Sequence, residues 1–305
     1  MIDAEARDAI AAYVVLAREE GRVVKELAAP AEGTFVAPVV LRVRGIADMP
    51  REIFGPVLHI AHFRAADIDK VIAEVNATGY GLTFGLHSRI DDRVQRVVER
   101  LGVGNIYVNR NQIGAVVGSQ PFGGEGLSGT GPKAGGPFYL ARFTRAAAPE
   151  AGAGGGAITA AEVAALLATM PAARPGKTLA LPGPTGESNR LTCIPRAPLL
   201  CLGPSATTAA TQAQAVRALG GRAVEAPGLD PAALTGLQGF SGALHWGEDH
   251  AARGFLRALA ARPGPILPLI TDHPDAAHVL LERHVCIDTT ASGGNAQLLV
   301  EASAT

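Results

Sequence analysis

The sequence predicts an α/β protein of two domains, and three observations carry that reading. Segments of strand character alternate with segments of helical periodicity along most of the 305 residues. A low-complexity run at 146–157, AAAPEAGAGGGA, interrupts the alternation and reads as a flexible linker. Beyond it, strand and helix follow one another in the rhythm of a Rossmann-like doubly wound sheet. The expected division is 1–145, a linker at 146–158, and 159–305.

Asp3 to Glu20 is the first helix: Asp3 can cap it, Ile10, Tyr13, Val14 and Ala17 recur at helical spacing, and Gly21 stops it. Arg22–Leu27 and Thr34–Arg44 follow as strands, then Val57–Phe63. A helix capped by Asp67 runs to Asn76, with Ile68, Val71, Ile72 and Val75 on its buried face. Leu82–His87 is extended, and Asp91 caps a third helix through Leu101. His59, His62 and His87 stand on extended segments without carboxylate partners or metal spacing, and read as packed or surface side chains.

Asn105 opens another strand, and about thirty residues of glycine, proline and small polar side chains come after it. So long a loop in a compact domain is usually functional or disordered. Ile113, Val116, Val117, Phe122 and Leu127 are spaced through it and are expected to anchor it to a core. Gly124, Gly126 and Gly129 spell a dinucleotide fingerprint, but Gly131-Pro132 follows at once where that motif requires a helix start. Tight turns and close backbone approach explain these glycines better. PFYLARF, at 137–143, again alternates like a strand.

After the linker, Thr159 and Glu162 form a capping box for a helix over Ala160–Met170. Ala197–Leu202, Arg222–Glu225, Ser241–Trp246 and Ile266–Ile270 read as strands. Ala206–Leu219, His250–Ala261 and Pro274–Arg283 read as helices. The Cys201–Ser205 turn has one glycine and lacks the fingerprint. Pro182-Gly183-Pro184-Thr185-Gly186 is a turn cluster with no phosphate-loop lysine, so nucleotide binding by this half is not expected.

Composition excludes several classes. Hydrophobic residues at 48% and charged residues at 18% suffice for real cores, and a net charge of −1 leaves no basic footprint for nucleic acid. Three widely spaced cysteines form neither a disulfide framework nor a metal knuckle, which fits a reducing cytoplasm. The N-terminal MIDAEARDAIAAY reads as amphipathic helix rather than as a signal-peptide pattern, and no uninterrupted apolar run approaches membrane-spanning length.

Two stretches carry a family resemblance. GAVVGSQPFGGEGLSGTGPKAGGP, at 114–137, resembles the substrate-anchor loop of L-glutamate-γ-semialdehyde (1-pyrroline-5-carboxylate) dehydrogenases in the aldehyde dehydrogenase superfamily. Pro50-Arg51-Glu52-Ile53-Phe54-Gly55-Pro56-Val57 matches that superfamily's E-x-F-G-P-V signature. The fold implied is the C-terminal part of an aldehyde dehydrogenase catalytic domain, followed by a degenerate Rossmann-like domain as in long-form proline utilization A enzymes. MIDAEARDAI resembles a segment shortly after the catalytic cysteine of relatives, so the chain is expected to begin inside the catalytic domain.

The resemblance implies roles residue by residue. Glu52 would hold the ribose hydroxyls of NAD and Phe54 would pack beside its nicotinamide. Gly114 and Ala115 would receive the substrate's α-carboxylate through their amides, and Phe122 would pack along its aliphatic part. The segment at about 137–145 would be an oligomerisation strand, and the tail from about 286 to 305 a lid. The family's nucleophilic cysteine and glutamate base belong to motifs absent here; Cys201 and Cys286 read as inert packing in apolar strands, and none of Cys193, Cys201 and Cys286 is expected to be a nucleophile. No catalytic residue is therefore expected in this chain. Its expected partners are upstream catalytic, NAD-binding and proline dehydrogenase segments, the small-molecule aldehyde, and further copies of itself. The alternative is a non-catalytic assembly or lid module that completes another chain's active site.

Overall fold

The computed structural model describes residues 1–30, 32–49, 51–144, 146–152 and 155–290. Among them the chain divides into two compact units, Met1–Thr78 and Gly79–Thr305.

In the first unit, α1 (Ala4–Glu19) starts where Asp3 accepts a hydrogen bond from the Ala6 amide at 2.8 Å. Its apolar stripe, Ile10, Val14 and Ala17, packs on Val39 and Leu41. Three strands follow: β1 (Val23–Glu26), β2 (Val39–Arg42) and β3 (Val57–Ile60). β2 is central, antiparallel to β1 and parallel to β3. The expected strand over Thr34–Arg44 is thus only four residues long. α2 (Ile68–Ala77) closes the unit, entered through a 3₁₀ turn at Ala65–Asp67. Asp67 occupies its N-cap position but makes no side-chain capping bond, which corrects the sequence reading.

The second unit opens with β4 (Tyr80–Gly81) and β5 (Thr83–Leu86), then α3 (Asp91–Arg100), which buries Val94 and Val97. Here too the cap differs: Ile90 is the N-cap, and Asp91 is a first-turn residue that favours the helix through its dipole. β6 (Asn105–Val108) is buried at every position. β7 (Glu125–Gly126) pairs back with β4. The rest comprises α4 (Ala160–Ala168), β8 (Thr178–Leu181), β9 (Glu187–Pro195), β10 (Leu199–Cys201), α5 (Ala206–Ala218), β11 (Ala223–Glu225), β12 (Gly242–Leu244), α6 (Asp249–Ala260), β13 (Leu269–Ile270), α7 (Ala276–Val279) and β14 (Leu280–Asp288).

Two sheets organise these elements. One is all-parallel, in the order β11-β10-β12-β13. Leu200, Leu202, Val224 and Ala243 meet α4 and α6 on one face, while Leu199, Cys201, Ala223 and Leu244 meet α5 on the other. That is the doubly wound arrangement the alternation predicts. The other sheet runs β5-β6-β14-β9-β8, with β5, β6 and β14 parallel and the β8–β9 hairpin antiparallel. Its pairing crosses the Gly/Ala-rich stretch, joining strands from both sides of it. The stretch is itself tied down, because Gly152 donates to Thr208 Oγ1 at 3.0 Å and the Ala146 carbonyl accepts from His273 at 2.9 Å.

Three expectations are corrected here. Pro274–Arg283 is helical only over Ala276–Val279; from Leu280 the chain pairs with β9 along nine residues, and tertiary pairing overrides the local helix signal. Cys286, read as the start of a covering tail, lies in the same strand, and the remainder of that tail, 291–305, falls outside the described residues. Leu140–Phe143 forms a 3₁₀ turn rather than a strand, because the N–H groups of Tyr139, Arg142 and Thr144 bond three residues back. Among the described residues no helix is long and apolar enough to cross a membrane.

Candidate functional site

The Glu52–Val57 motif lies in the first unit, in the connection that leads into β3. Ile53 and Val57 pack against the core of α1 and β2. The Gly55 amide bonds to the Ile53 carbonyl at 2.9 Å, the Val57 amide to Gly55 at 2.8 Å, and the Val39 amide to Pro56 at 3.0 Å. With alternate residues anchored inward, Glu52 and Phe54 stand outward, and Phe54 is 82% exposed.

The long loop lies in the second unit, above the five-stranded sheet. Asn109 ends β6 with φ of 59°, and its side chain exchanges two hydrogen bonds with the Ser88 backbone, at 2.9 and 3.1 Å. Asn111 then accepts from the Ile113 amide at 3.1 Å, and Gln120 Oε1 accepts from the Val116 amide at 3.1 Å. Between these two engaged amides, those of Gly114 and Ala115 bond to no described residue. Gly114 has φ of 78° and open space where a side chain would project. Phe122, half-buried, is fixed by a backbone bridge to Ala134.

The expected apolar anchoring is overturned. Ile113 is 86% exposed and Val117 98% exposed, and Val116 is exposed as well. Buried polar groups hold the loop instead. Lys133 donates its ammonium to Asn105 Oδ1 at 2.7 Å and to the Gly123 carbonyl, and the Lys133 amide bonds Glu282 at 2.7 Å. Asn105 donates to the Pro121 carbonyl at 2.8 Å and accepts from the Gly123 amide at 3.1 Å. Arg283 pairs with Glu125 at 2.8 Å, and Arg196 reaches the Thr130 carbonyl at 3.0 Å. Buried polar groups cost free energy unless bonded, so a network this dense specifies one loop conformation.

Burial dominates the electrostatics beneath the loop. It lowers the Lys133 ammonium to about 8 and His284 to about 4, the latter with Lys133 and Arg110 adding like-charge repulsion. Glu282 is raised by the same cause. The three thiols are buried and shifted upward by desolvation, Cys286 to about 11 and Cys201 to about 12, with Cys193 also raised. None is therefore a thiolate near neutral pH. Tyr13 bonds His59 at 2.8 Å, and no cluster of three metal-ligating side chains occurs among the described residues.

Sequence reasoning singled out the exposed tip and missed what supports it: Asn105, Gln120, Lys133, Glu187, Glu282 and His284. One signal was available, since charged and polar letters inside the apolar strand Leu280–Asp288 must meet partners if that strand is buried. Two concavities, about 640 Å³ lined by Tyr13, Arg22 and Arg42, and about 520 Å³ lined by Gln95, Arg190 and Arg283, include none of the predicted site residues.

Residues 1–148 match the sequence model of the aldehyde dehydrogenase family. Over 98% of its length the chain is 38% identical to the bifunctional protein PutA of Rhizobium meliloti, and it covers 28% of that protein. Over 47% of its length it is 42% identical to the 1-pyrroline-5-carboxylate dehydrogenase of Bacillus mycoides strain KBAB4, again covering 28% of the relative. Among solved structures, proline utilization A of Corynebacterium freiburgense superposes with a TM-score of 0.60 at 25% identity, over 87% of this chain and 29% of that one. The chain thus spans little more than a quarter of the curated relatives it matches.

Proposed function

We propose, from the match of residues 1–148 to the aldehyde dehydrogenase family model, that the chain supplies one wall of the active site of an NAD-dependent L-glutamate-γ-semialdehyde dehydrogenase, which oxidises the aldehyde to glutamate. The observation that carries this reading is the pair of unengaged amides at Gly114 and Ala115, held between two engaged ones on a loop fixed from below. Adjacent N–H groups of this kind form an anion nest, and the bare Gly114 lets a carboxylate approach the backbone closely. Phe122 then lies along the aliphatic part of the substrate.

Glu52 and Phe54 fit a nicotinamide nucleotide. An exposed carboxylate accepts two ribose hydroxyls, and an exposed aromatic beside it limits the freedom of the ring. When bound, NAD supplies the hydride acceptor. The buried, protonated thiols of Cys193, Cys201 and Cys286 support the view that the nucleophile comes from an upstream catalytic segment, together with the NAD-binding and proline dehydrogenase segments. The exposed Tyr139, Leu140 and Phe143 favour a second reading beside it, assembly with another copy or chain whose site this one completes.

NADH formation from L-glutamate γ-semialdehyde tests the proposal. The purified chain is expected to give none, and addition of an upstream segment bearing the cysteine is expected to restore it. Turnover by the chain alone would overturn the account of the nucleophile. A folded complex that stays inactive would leave only the assembly reading.

A further inference from the structure

We infer that Glu187 is a positioning residue for the Gly114–Ala115 nest, a single carboxylate that closes both ends of the loop carrying it; the inference rests on the carboxylate-binding reading above. Glu187 opens β9, far from the loop in sequence and directly beneath it in space. Its Oε2 accepts from Arg110 Nη1 at 3.0 Å, at the loop's first end. Its Oε1 accepts from Gln120 Nε2 at 3.1 Å, at the second end, and from Asn189 Nδ2 at 2.8 Å. Gln120 is 3% exposed, and its other amide atom, Oε1, takes the Val116 N–H at 3.1 Å. A continuous path of hydrogen bonds therefore runs from a carboxylate on the β8–β9 hairpin to the amide next to Ala115.

Only a carboxylate serves at this position. Three donors, one of them a guanidinium, converge on two oxygens, and an ionised carboxyl is acceptor-only on both. A glutamine would turn a donor toward donors at one of them, and an alanine would leave Gln120 Nε2 with only the weak Cys286 Sγ contact at 3.5 Å to orient it. Once Gln120 can rotate, the Val116 N–H is released. Gly114 and Ala115 then lose the fixed neighbour that defines their direction. The Arg110 and Glu187 side chains are only 18% and 15% exposed, so water screens this clamp far less than a surface pair.

The test uses the full ¹⁵N-labelled chain, its Glu187→Gln and Glu187→Ala variants, and Gln120→Met, which removes the relay while keeping Glu187. Amide exchange at Val116, without ligand, is expected to be roughly tenfold faster in Glu187→Ala and Gln120→Met and intermediate in Glu187→Gln, with exchange at Ile106 and Leu200 unchanged. Titration with L-glutamate is expected to shift the Gly114 and Ala115 resonances in the natural chain, and to need at least severalfold more ligand in the variants. Unchanged Val116 exchange in both Glu187→Ala and Gln120→Met overturns the clamp. Accelerated Val116 exchange, with no glutamate-dependent shift at Gly114 or Ala115 in the natural chain, overturns the carboxylate reading instead and with it the clamp's role in recognition.

Discussion

Lys133 and His284 are 3% and 0% exposed, and burial acts on both in the same sense by disfavouring the charged form. The Lys133 ammonium titrates near 8 in the fold against 10.5 unfolded, so between those values the unfolded chain holds the extra proton and stability rises with pH. His284 titrates near 4 in the fold against 6.5 unfolded, so stability falls as pH drops through that window. Each shift, about 2.5 pKa units, corresponds to at most about 3 kcal/mol. Urea midpoints measured across pH are expected to climb from 4 to 6.5 and again from 8 to 10.5. Lys133→Met should flatten the second rise and His284→Gln the first; a Lys133→Met profile parallel to that of the natural chain would contradict the assignment. The ammonium remains in place because Asn105 and the Gly123 carbonyl bind it, which makes it a fastener of the loop despite its cost.

Among the elements, α4 illustrates a helix whose start is fully local. The Thr159 hydroxyl accepts the Glu162 amide at 3.2 Å, and the Glu162 carboxylate returns to the Thr159 amide at 2.8 Å. Thr159→Ala is expected to cost about 1 kcal/mol, read as a lowered urea midpoint with unchanged slope. Such helices were legible in the sequence because their determinants lie within a turn of one another, as they do in α1 and α5. The β8–β9 hairpin was not legible as strands, although its turn at Pro182–Gly186 was, since Glu187–Pro195 carries polar letters that only its neighbours in the sheet explain. β14 was misread in part for the same reason: Asp275 and His278 form a genuine cap, and the conformation beyond Val279 is decided by pairing with β6 and β9. At the site, the loop stood out through unusual composition, and Gly114, Ala115 and Phe122 within it through the family resemblance. Glu187 and Gln120 could not, because nothing near them in the chain hints at their meeting.

For the molecule as a whole, the division at Thr78 predicts unequal robustness. The first unit rests on a core of Ile10, Val14, Ala17, Val39 and Leu41, whereas the second fills both faces of a doubly wound sheet. Trp246, the only tryptophan, is buried in the second unit, so its emission reports that unit alone, while far-UV circular dichroism also senses α1 and α2. Part of the dichroism is expected to be lost at lower urea than the tryptophan shift; coincident curves would mean a single cooperative block. The central pairing of β6 with β14 carries a further consequence for the chain as it is made. Asn105 and His284 face each other across 179 residues of sequence. At roughly 5–20 residues per second on the ribosome, β6 waits on the order of ten to forty seconds for the strand that covers its edge. During that interval Asn105–Val108, buried throughout in the finished fold, presents an unpaired apolar edge to every neighbouring nascent chain. Yield in the cell should therefore depend on chaperone cover and growth temperature more steeply than the stability of the finished fold would suggest.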